Sequence, residues 1–212
     1  MIKSISKRID AFIGKLMTTP VVLHAKETCP ECGSQLAREP AGEEASSVWH
    51  CPNPDCPAQV RRGLGHWCSP AAMDITGGDE RLVALLVRQG LVRDVAELYR
   101  LRVKELAALP GVDKDLAQKF FDAITASRKR EAWRVLSGLG IPCVGAAEAQ
   151  LFCEHFATLD ALFATGRERL TKLAGITEVM ARSLTHWSGD PVNQKLIRRL
   201  EKAGVNFKTN AG

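Results

Sequence analysis

Apolar residues recur through most of this chain in clusters at helical spacing, each cluster bounded by glycine or proline. Leu82, Leu85 and Leu86 form one such stripe, and Phe120, Phe121 and Ile124 form a second. Leu151, Phe152 and Phe156 make a third, and Met180, Leu184 and Trp187 a fourth. Stripes of this kind are the core-facing sides of helices. The punctuation falls at Gly77-Gly78, Gly90, Pro110-Gly111, Gly138 to Pro142, Gly175 and Pro191. From Ser69 onward the pattern predicts helix almost throughout. Gly90 is placed as the C′ residue of the helix before it, and one more amphipathic helix runs from Asn193 to Phe207, with Leu196, Ile197 and Leu200 inward and Gly204 at its end.

Within this pattern one unit repeats. Leu106 to Ala117, LAALPGVDKDLA, reads as a short helix end, a tight turn through Gly111, an apolar pin at Val112 and a new helix starting at Asp113, with a small residue four positions on. The positions equivalent to Asp113 are Asp79, Gly145 and Thr177, at intervals of 34, 32 and 32 residues. A period of that size marks stacked supersecondary units. The unit looks like a helix-hairpin-helix, and there are four.

Ahead of the repeats the pattern changes. Ile2, Ile5, Ile9, Phe12 and Leu16 share one helical stripe, with Lys3, Lys7, Arg8 and Lys15 largely off it. That predicts a basic amphipathic helix ending before Pro20, whose apolar face packs on its own protein or on a sister subunit. Val21 to His24 suit one brief strand. Then come Cys29-Pro-Glu-Cys32 and, eighteen residues later, Cys51-Pro-Asn-Pro-Asp-Cys56. Two cysteines bracketing a tight turn put both thiolates on one side of a knuckle, and a second knuckle completes a tetrahedral four-sulfur site suited to one zinc ion. A complete set of four cysteines leaves no vacancy for the neighbouring His50. A closed site of this kind is structural. The segment between the knuckles reads as a small β-hairpin with an acidic, glycine-containing tip. Ala58 to Cys68 starts as a basic helix, where Arg61 and Arg62 are either phosphate contacts or ordinary exposed arginines. Cys68, Cys143 and Cys153 read as small buried hydrophobes.

Composition narrows the class. With 212 residues, 45% of them hydrophobic, and a single tyrosine, the chain supports one sizeable helical core and a small satellite domain. The net charge of +5 permits a nucleic-acid partner without demanding one. No run approaches a membrane span, and Asp10 and Lys15 interrupt what would be the apolar core of a signal peptide. The expected compartment is the cytoplasm, with no membrane partner. The expected fold is mainly α: a basic helix over 1–20, a four-cysteine zinc finger with a short β-hairpin and its connector over 21–68, four helix-hairpin-helix repeats with a C-terminal helix over 69–207, and a tail over 208–212.

A hairpin of this type that grips DNA carries a Gly-apolar-Gly turn, because the backbone must approach a phosphate closely and offer open N–H groups at a helix N-terminus. Contact of that kind is blind to base sequence. The candidates are Gly77, Gly78, Gly111, Val112, Lys114, Val144, Gly145 and Gly175, with Arg61 and Arg62. No hairpin has glycine at both turn positions. Asp79, Asp113 and Thr177 are N-cap residues whose oxygens accept from the N–H groups a phosphate would use, and each aspartate adds a negative charge there. The expectation is weak binding. Lys114, Lys119, Arg81, Arg128, Lys129 and Arg130 offset part of that charge, although a run such as Arg128-Lys129-Arg130 is more often a solvated face. The third hairpin, with Pro142, Val144 and Gly145, is the least compromised, and Glu148 helps cap its helix.

The order of parts, CPECGS, CPNPDCPAQ, AMDITG, LYRL, LAQKFFDAI, SGLGIPCVG and NQKLIRRLEKAGVNF, resembles the carboxy-terminal half of bacterial NAD-dependent DNA ligase over about Cys29 to Phe207. That resemblance implies a zinc ion on Cys29, Cys32, Cys51 and Cys56, and hairpin turns on the minor-groove backbone either side of a nick. It also implies double-stranded or nicked DNA and a ligase catalytic chain as partners, in a bacterial cytoplasm. The family's adenylate-accepting Lys-x-Asp-Gly motif is absent from this sequence, and neither the OB-fold nor the BRCT domain has room in it. The expectation is therefore no catalytic residue, no ligase activity alone and no NAD bound by this chain. The alternatives are a split component of an active ligase in DNA replication and repair, and a degenerate scaffold for protein interaction.

Overall fold

The computed structural model describes residues 28–41 and 46–209. The helix expected over 1–20 and the strand expected over 21–24 lie outside the described residues. The chain divides into two compact units, 1–52 and 53–212.

In the first unit, β1 (Ala37–Ala41) pairs antiparallel with β2 (Ser46–His50), Ala37 opposite His50 and Ala41 opposite Ser46. This is the expected small hairpin. An isolated antiparallel bridge joins Thr28 and Gln35 on either side of the first cysteine pair.

The second unit is helical: α1 (Pro57–Cys68), α2 (Glu80–Arg88), α3 (Val95–Leu98), α4 (Val103–Ala107), α5 (Lys114–Ser127), α6 (Ala132–Gly138), α7 (Ala146–His155), α8 (Leu159–Phe163), α9 (Arg167–Leu170), α10 (Glu178–Gly189) and α11 (Pro191–Lys202). The sequence accounts for most of these boundaries. Asp79, Asp94, Asp113, Thr158, Thr177 and Asp190 each accept a backbone N–H from the helix that follows. Such a cap contributes about 1 kcal/mol over alanine. Two helices end in Schellman turns. After α2, Gly90 (φ +66°) lets Leu91 N–H reach Leu86 O, and after α11, Gly204 (φ +79°) lets Val205 N–H reach Leu200 O.

The repeat resolves into four pairs: α1/α2, α4/α5, α6/α7 and α9/α10. Helix α1, grouped with the cysteine-bearing segment by the sequence reading, packs as the first helix of the first pair. Inside each pair a four-residue turn is closed by an N–H to C=O bond: Gly78 to Ile75, Val112 to Leu109, Val144 to Ile141, and Ile176 to Leu173. The third residue of each turn has positive φ, at Gly77 (+89°), Gly111 (+76°), Cys143 (+61°) and Gly175 (+79°). That geometry is a type II turn, which asks for glycine at its third position and accepts proline at its second, as at Pro110 and Pro142. Cys143 adopts it without glycine and is exposed. The expectation of a buried hydrophobe there fails because the turn turns the side chain outward; Cys68 is buried and Cys153 half-buried.

Pairing of hairpins is reciprocal. Phe120 of α5 lies against Gly77, where an added Cβ would sit 3.6 Å from its ring. Arg81 of α2 lies against Gly111, and Leu151 of α7 lies against Gly175 with its Cδ2 3.0 Å from where a Cβ would stand. Ser183 of α10 donates back to Pro142 O. Hairpins one and two thus form one tandem, and three and four another. The pins Val144 and Ile176 are buried, as are Ala149 and Ala181 at the small-residue position, and in the second hairpin Val112 is half-buried and Ala117 buried. The first hairpin inverts the sizes, with Gly78 at the pin and Val83 in the small-residue place, and Cys68 Sγ fills the space: a Cβ on Gly78 would lie 2.7 Å from it.

Three arginines, Arg128 and Arg130 in the link between α5 and α6 and Arg134 on α6, fasten onto backbone carbonyls of residues 70–99. Arg128 donates to Tyr99 O and sits over the Tyr99 ring, Arg130 donates to Asp74 O and pairs with its carboxylate, and Arg134 donates to Pro70 O and Ala72 O. Asn206 continues the seam, its N–H on Arg128 O and its amide nitrogen on Arg130 O. Arg199 of α11 pairs with Asp94 and Glu97. The run Arg128-Lys129-Arg130 is accordingly an internal fastening for two of its three members.

Candidate functional site

Two constellations carry chemistry. The first is the cysteine cluster. Cys29 N–H donates to Ser34 O, and Gly33, at φ +72°, donates back to Cys29 O, which curls the first pair into a knuckle. In the second pair Asp55 N–H bonds Asn53 Oδ1 and Cys56 N–H bonds Asn53 O, so the chain folds back on itself before Pro57 opens α1. The result brings Cys29, Cys32, Cys51 and Cys56 together with their sulfurs all within 4.8 Å of one another; the Cys32 and Cys51 sulfurs are 3.5 Å apart. A tetrahedral site with metal–sulfur bonds near 2.3 Å has sulfur–sulfur edges of about 3.8 Å, so the four thiols fit a metal ion.

The second constellation is the set of turns leading into α2, α5, α7 and α10. Gly77, Gly111 and Gly175 occupy the left-handed turn position. Val144 is buried and Val112 half-buried against the core, so both pin the turn. Gly78 owes its missing side chain to Cys68. Gly145 is the residue before α7, and Lys114 is the first, exposed residue of α5. Arg61 and Arg62 sit on α1 beside a groove of about 440 Å³ shared with Gly65, His66, Gly78 and Glu80.

The amides at these helix starts are partly engaged. Asp79 Oδ1 accepts Leu82 N–H at 2.8 Å, Asp113 Oδ1 accepts Leu116 N–H at 2.7 Å, and Thr177 Oγ1 accepts Met180 N–H at 3.3 Å. At the third hairpin Glu148 Oε2 accepts Gly145 N–H at 2.9 Å. The caps read from the sequence are all formed. What the sequence did not reveal is the position of Arg81: a Cβ on Gly111 would meet its Nη2 at 3.1 Å. Its only sequence signal was a basic residue two places after Asp79.

Comparison with known proteins follows this division. A helix-hairpin-helix tandem of the SAM-like type matches residues 73–123, the first two hairpins, and a helix-hairpin-helix motif matches residues 134–197, the second two. The chain is 43% identical over 181 residues to a DNA ligase of Rubrobacter xylanophilus, 44% over 177 residues to one of a Synechococcus strain, and 43% over 185 residues to one of Chloroflexus aggregans. These alignments cover 84 to 87% of this chain and 26% of each ligase. The chain spans about a quarter of the length of the relatives it matches. Among the described residues no helix is long and apolar enough to cross a membrane. The chain therefore carries tandem helix-hairpin-helix domains and a four-cysteine cluster, and it is similar over about 85% of its length to DNA ligases, consistent with their C-terminal helix-hairpin-helix part.

Proposed function

We propose that this chain is a DNA-binding module that holds the backbone of duplex or nicked DNA without reading its sequence. The observation that supports it most is the set of four type II turns at a 34, 32 and 32 residue interval, each feeding a helix N-terminus. Backbone N–H groups at such a start favour a phosphate. Gly77, Gly111, Gly145 and Gly175 are the close-approach positions in this reading, with Lys114, Arg61 and Arg62 as cationic contacts. Binding is weak, because Asp79, Asp113 and Thr177 occupy amides that a phosphate would otherwise take. The test is binding to a nicked duplex as a function of salt, for the natural chain and for Asp113→Gly combined with Thr177→Gly. Weak binding that falls steeply with salt, and tightens in the double variant, is expected. No detectable binding by either protein at low salt overturns the reading.

The four thiolates hold one structural zinc ion in this proposal. All four donors are sulfur and the set is closed, which suits zinc and leaves no open coordination position for chemistry.

A second reading is supported by the similarity to DNA ligases: the module works as a component of an active NAD-dependent ligase in replication or repair. Adding the purified chain to the adenylating part of such a ligase would then raise nick sealing; unchanged sealing removes this reading and leaves the first in place.

A further inference from the structure

Asp113 closes the N-terminus of α5 with its own carboxylate, so the second hairpin has less to offer an anion through its amides than its turn geometry suggests. A side chain from another hairpin stands in the same place. Arg81, the second residue of α2, extends its guanidinium over the turn of hairpin two, where the missing side chain of Gly111 leaves room for it; a Cβ there would be 3.1 Å from Nη2. Arg81 is exposed, and among the described residues it forms no ion pair and donates no hydrogen bond to a protein acceptor. Four other arginines of this unit are committed: Arg128, Arg130 and Arg134 to carbonyls, Arg199 to Asp94 and Glu97. Lys114, the exposed first residue of α5 after that turn and among the described residues also outside any ion pair, adds a second positive charge.

The second tandem lacks this arrangement. The residue equivalent to Arg81 there is Ala147, and the space above Gly175 is closed by the aliphatic Leu151. An arginine fork suits two oxygens of one phosphodiester, whereas a leucine offers no such bond.

We propose that Arg81 is a phosphate-contact residue acting across the first tandem, taking a backbone phosphodiester at the hairpin-two turn in place of the amide that Asp113 occupies. Gly111 is then required for the room it gives the guanidinium as well as for its backbone angle. The ionic grip lies in the first tandem, and the second contributes shape. This rests on the DNA-binding reading above.

The test measures binding of the full chain to nicked duplexes of two unrelated sequences over about 50 to 200 mM salt, for the natural chain, Arg81→Gln, Arg81→Lys and Arg88→Gln. Arg88 is exposed and lies at the opposite end of α2 from the hairpin turn. Loss of one phosphate contact lowers the slope of log affinity against log salt by about 1 and weakens both duplexes alike. Arg81→Gln is expected to do so, Arg81→Lys to keep the slope with weaker binding, and Arg88→Gln to leave the slope unchanged. Circular dichroism melting shows whether each variant is folded, and the lysine variant keeps the charge should the glutamine variant melt early. An unchanged slope in Arg81→Gln, with the natural chain binding, overturns the role of Arg81 and spares the DNA reading. Absence of binding by the natural chain at the lowest salt overturns both.

Discussion

The indole N–H of Trp67 donates to the phenol oxygen of Tyr99 at 3.2 Å, inside the core. Direction along the rest of the chain is set by Ser127, whose hydroxyl hydrogen goes to Ile124 O at 2.7 Å, so the Tyr99 hydroxyl is the donor in its 3.1 Å bond to Ser127 Oγ. The two rings meet edge to face with centroids 6.3 Å apart. Burial raises the phenol above its ordinary pKa, against the lowering effect of Ser127 and Trp67. Three segments far apart in sequence, α1, the end of α3 and the end of α5, are thereby fixed to one another.

Tyr99→Phe removes the middle of this relay and strands the Trp67 N–H in a buried site. The expected cost is about 1 to 3 kcal/mol, with a smaller loss for Ser127→Ala. Urea unfolding reads both; a phenylalanine variant as stable as the natural chain would mean that the relay carries no weight.

Gly78 and Cys68 form a size-matched pair. Gly78→Ala alone forces a Cβ to 2.7 Å from the sulfur and is expected to destabilise by about 1 to 3 kcal/mol. Combined with Cys68→Gly, which removes both the sulfur and the Cβ that would stand at 2.8 Å, the penalty shrinks, so a double-mutant cycle returns a coupling of about 1 kcal/mol or more. Strict additivity contradicts this packing.

The hairpin repeat was legible because its chemistry is local. The residues of positive φ stand at the intervals of 34, 32 and 32 that the slots predicted, and Asp79, Asp113 and Thr177 cap as their side chains require. The four cysteines were legible for the same reason. Contacts set by tertiary packing were not: nothing in the sequence placed Arg81 over Gly111, tied Arg128 and Arg130 to backbone carbonyls, or showed that Gly78 is small for the sake of Cys68. Cys143 was misread because an apolar-looking residue in an apolar context gave no sign of its backbone angle.

At Cys143 the left-handed backbone is held by a residue with a side chain. Relief of that strain, of about 1 to 2 kcal/mol per residue, outweighs the added freedom of glycine in the unfolded chain. Cys143→Gly should therefore raise stability by up to about 1 kcal/mol, and Gly175→Ala should lower it, since alanine inherits both φ +79° and the close approach of Leu151. Thermal melting ranks the three proteins.

Burial pushes the thiols of Cys68 and Cys153 up to about 12. At pH 8, iodoacetamide should label the exposed Cys143 quickly and leave these two protected, as peptide mass spectrometry will show. A raised folded-state value also fixes a pH dependence. Stability from these groups is fully present below about pH 9, the unfolded thiol value, and is lost as pH climbs toward 12, because the unfolded chain then releases protons that the folded one retains. Cys68→Ala should flatten that decline.

One zinc per chain is expected on metal analysis, with release of the ion on Cys51→Ser. The far-ultraviolet helical signal, which comes from α1 to α11, should survive that substitution in large part. Metal-free protein with four titratable thiols in that segment would refute the zinc site.

The arginines of the α5–α6 link and of α6 grip carbonyl oxygens at Pro70, Ala72, Asp74 and Tyr99, atoms that every amino acid supplies. Residues on the receiving side can therefore drift without loosening the joint, whereas each arginine is irreplaceable by anything shorter. Divergence among related chains should be lopsided, tolerant on one bank of the seam and frozen on the other.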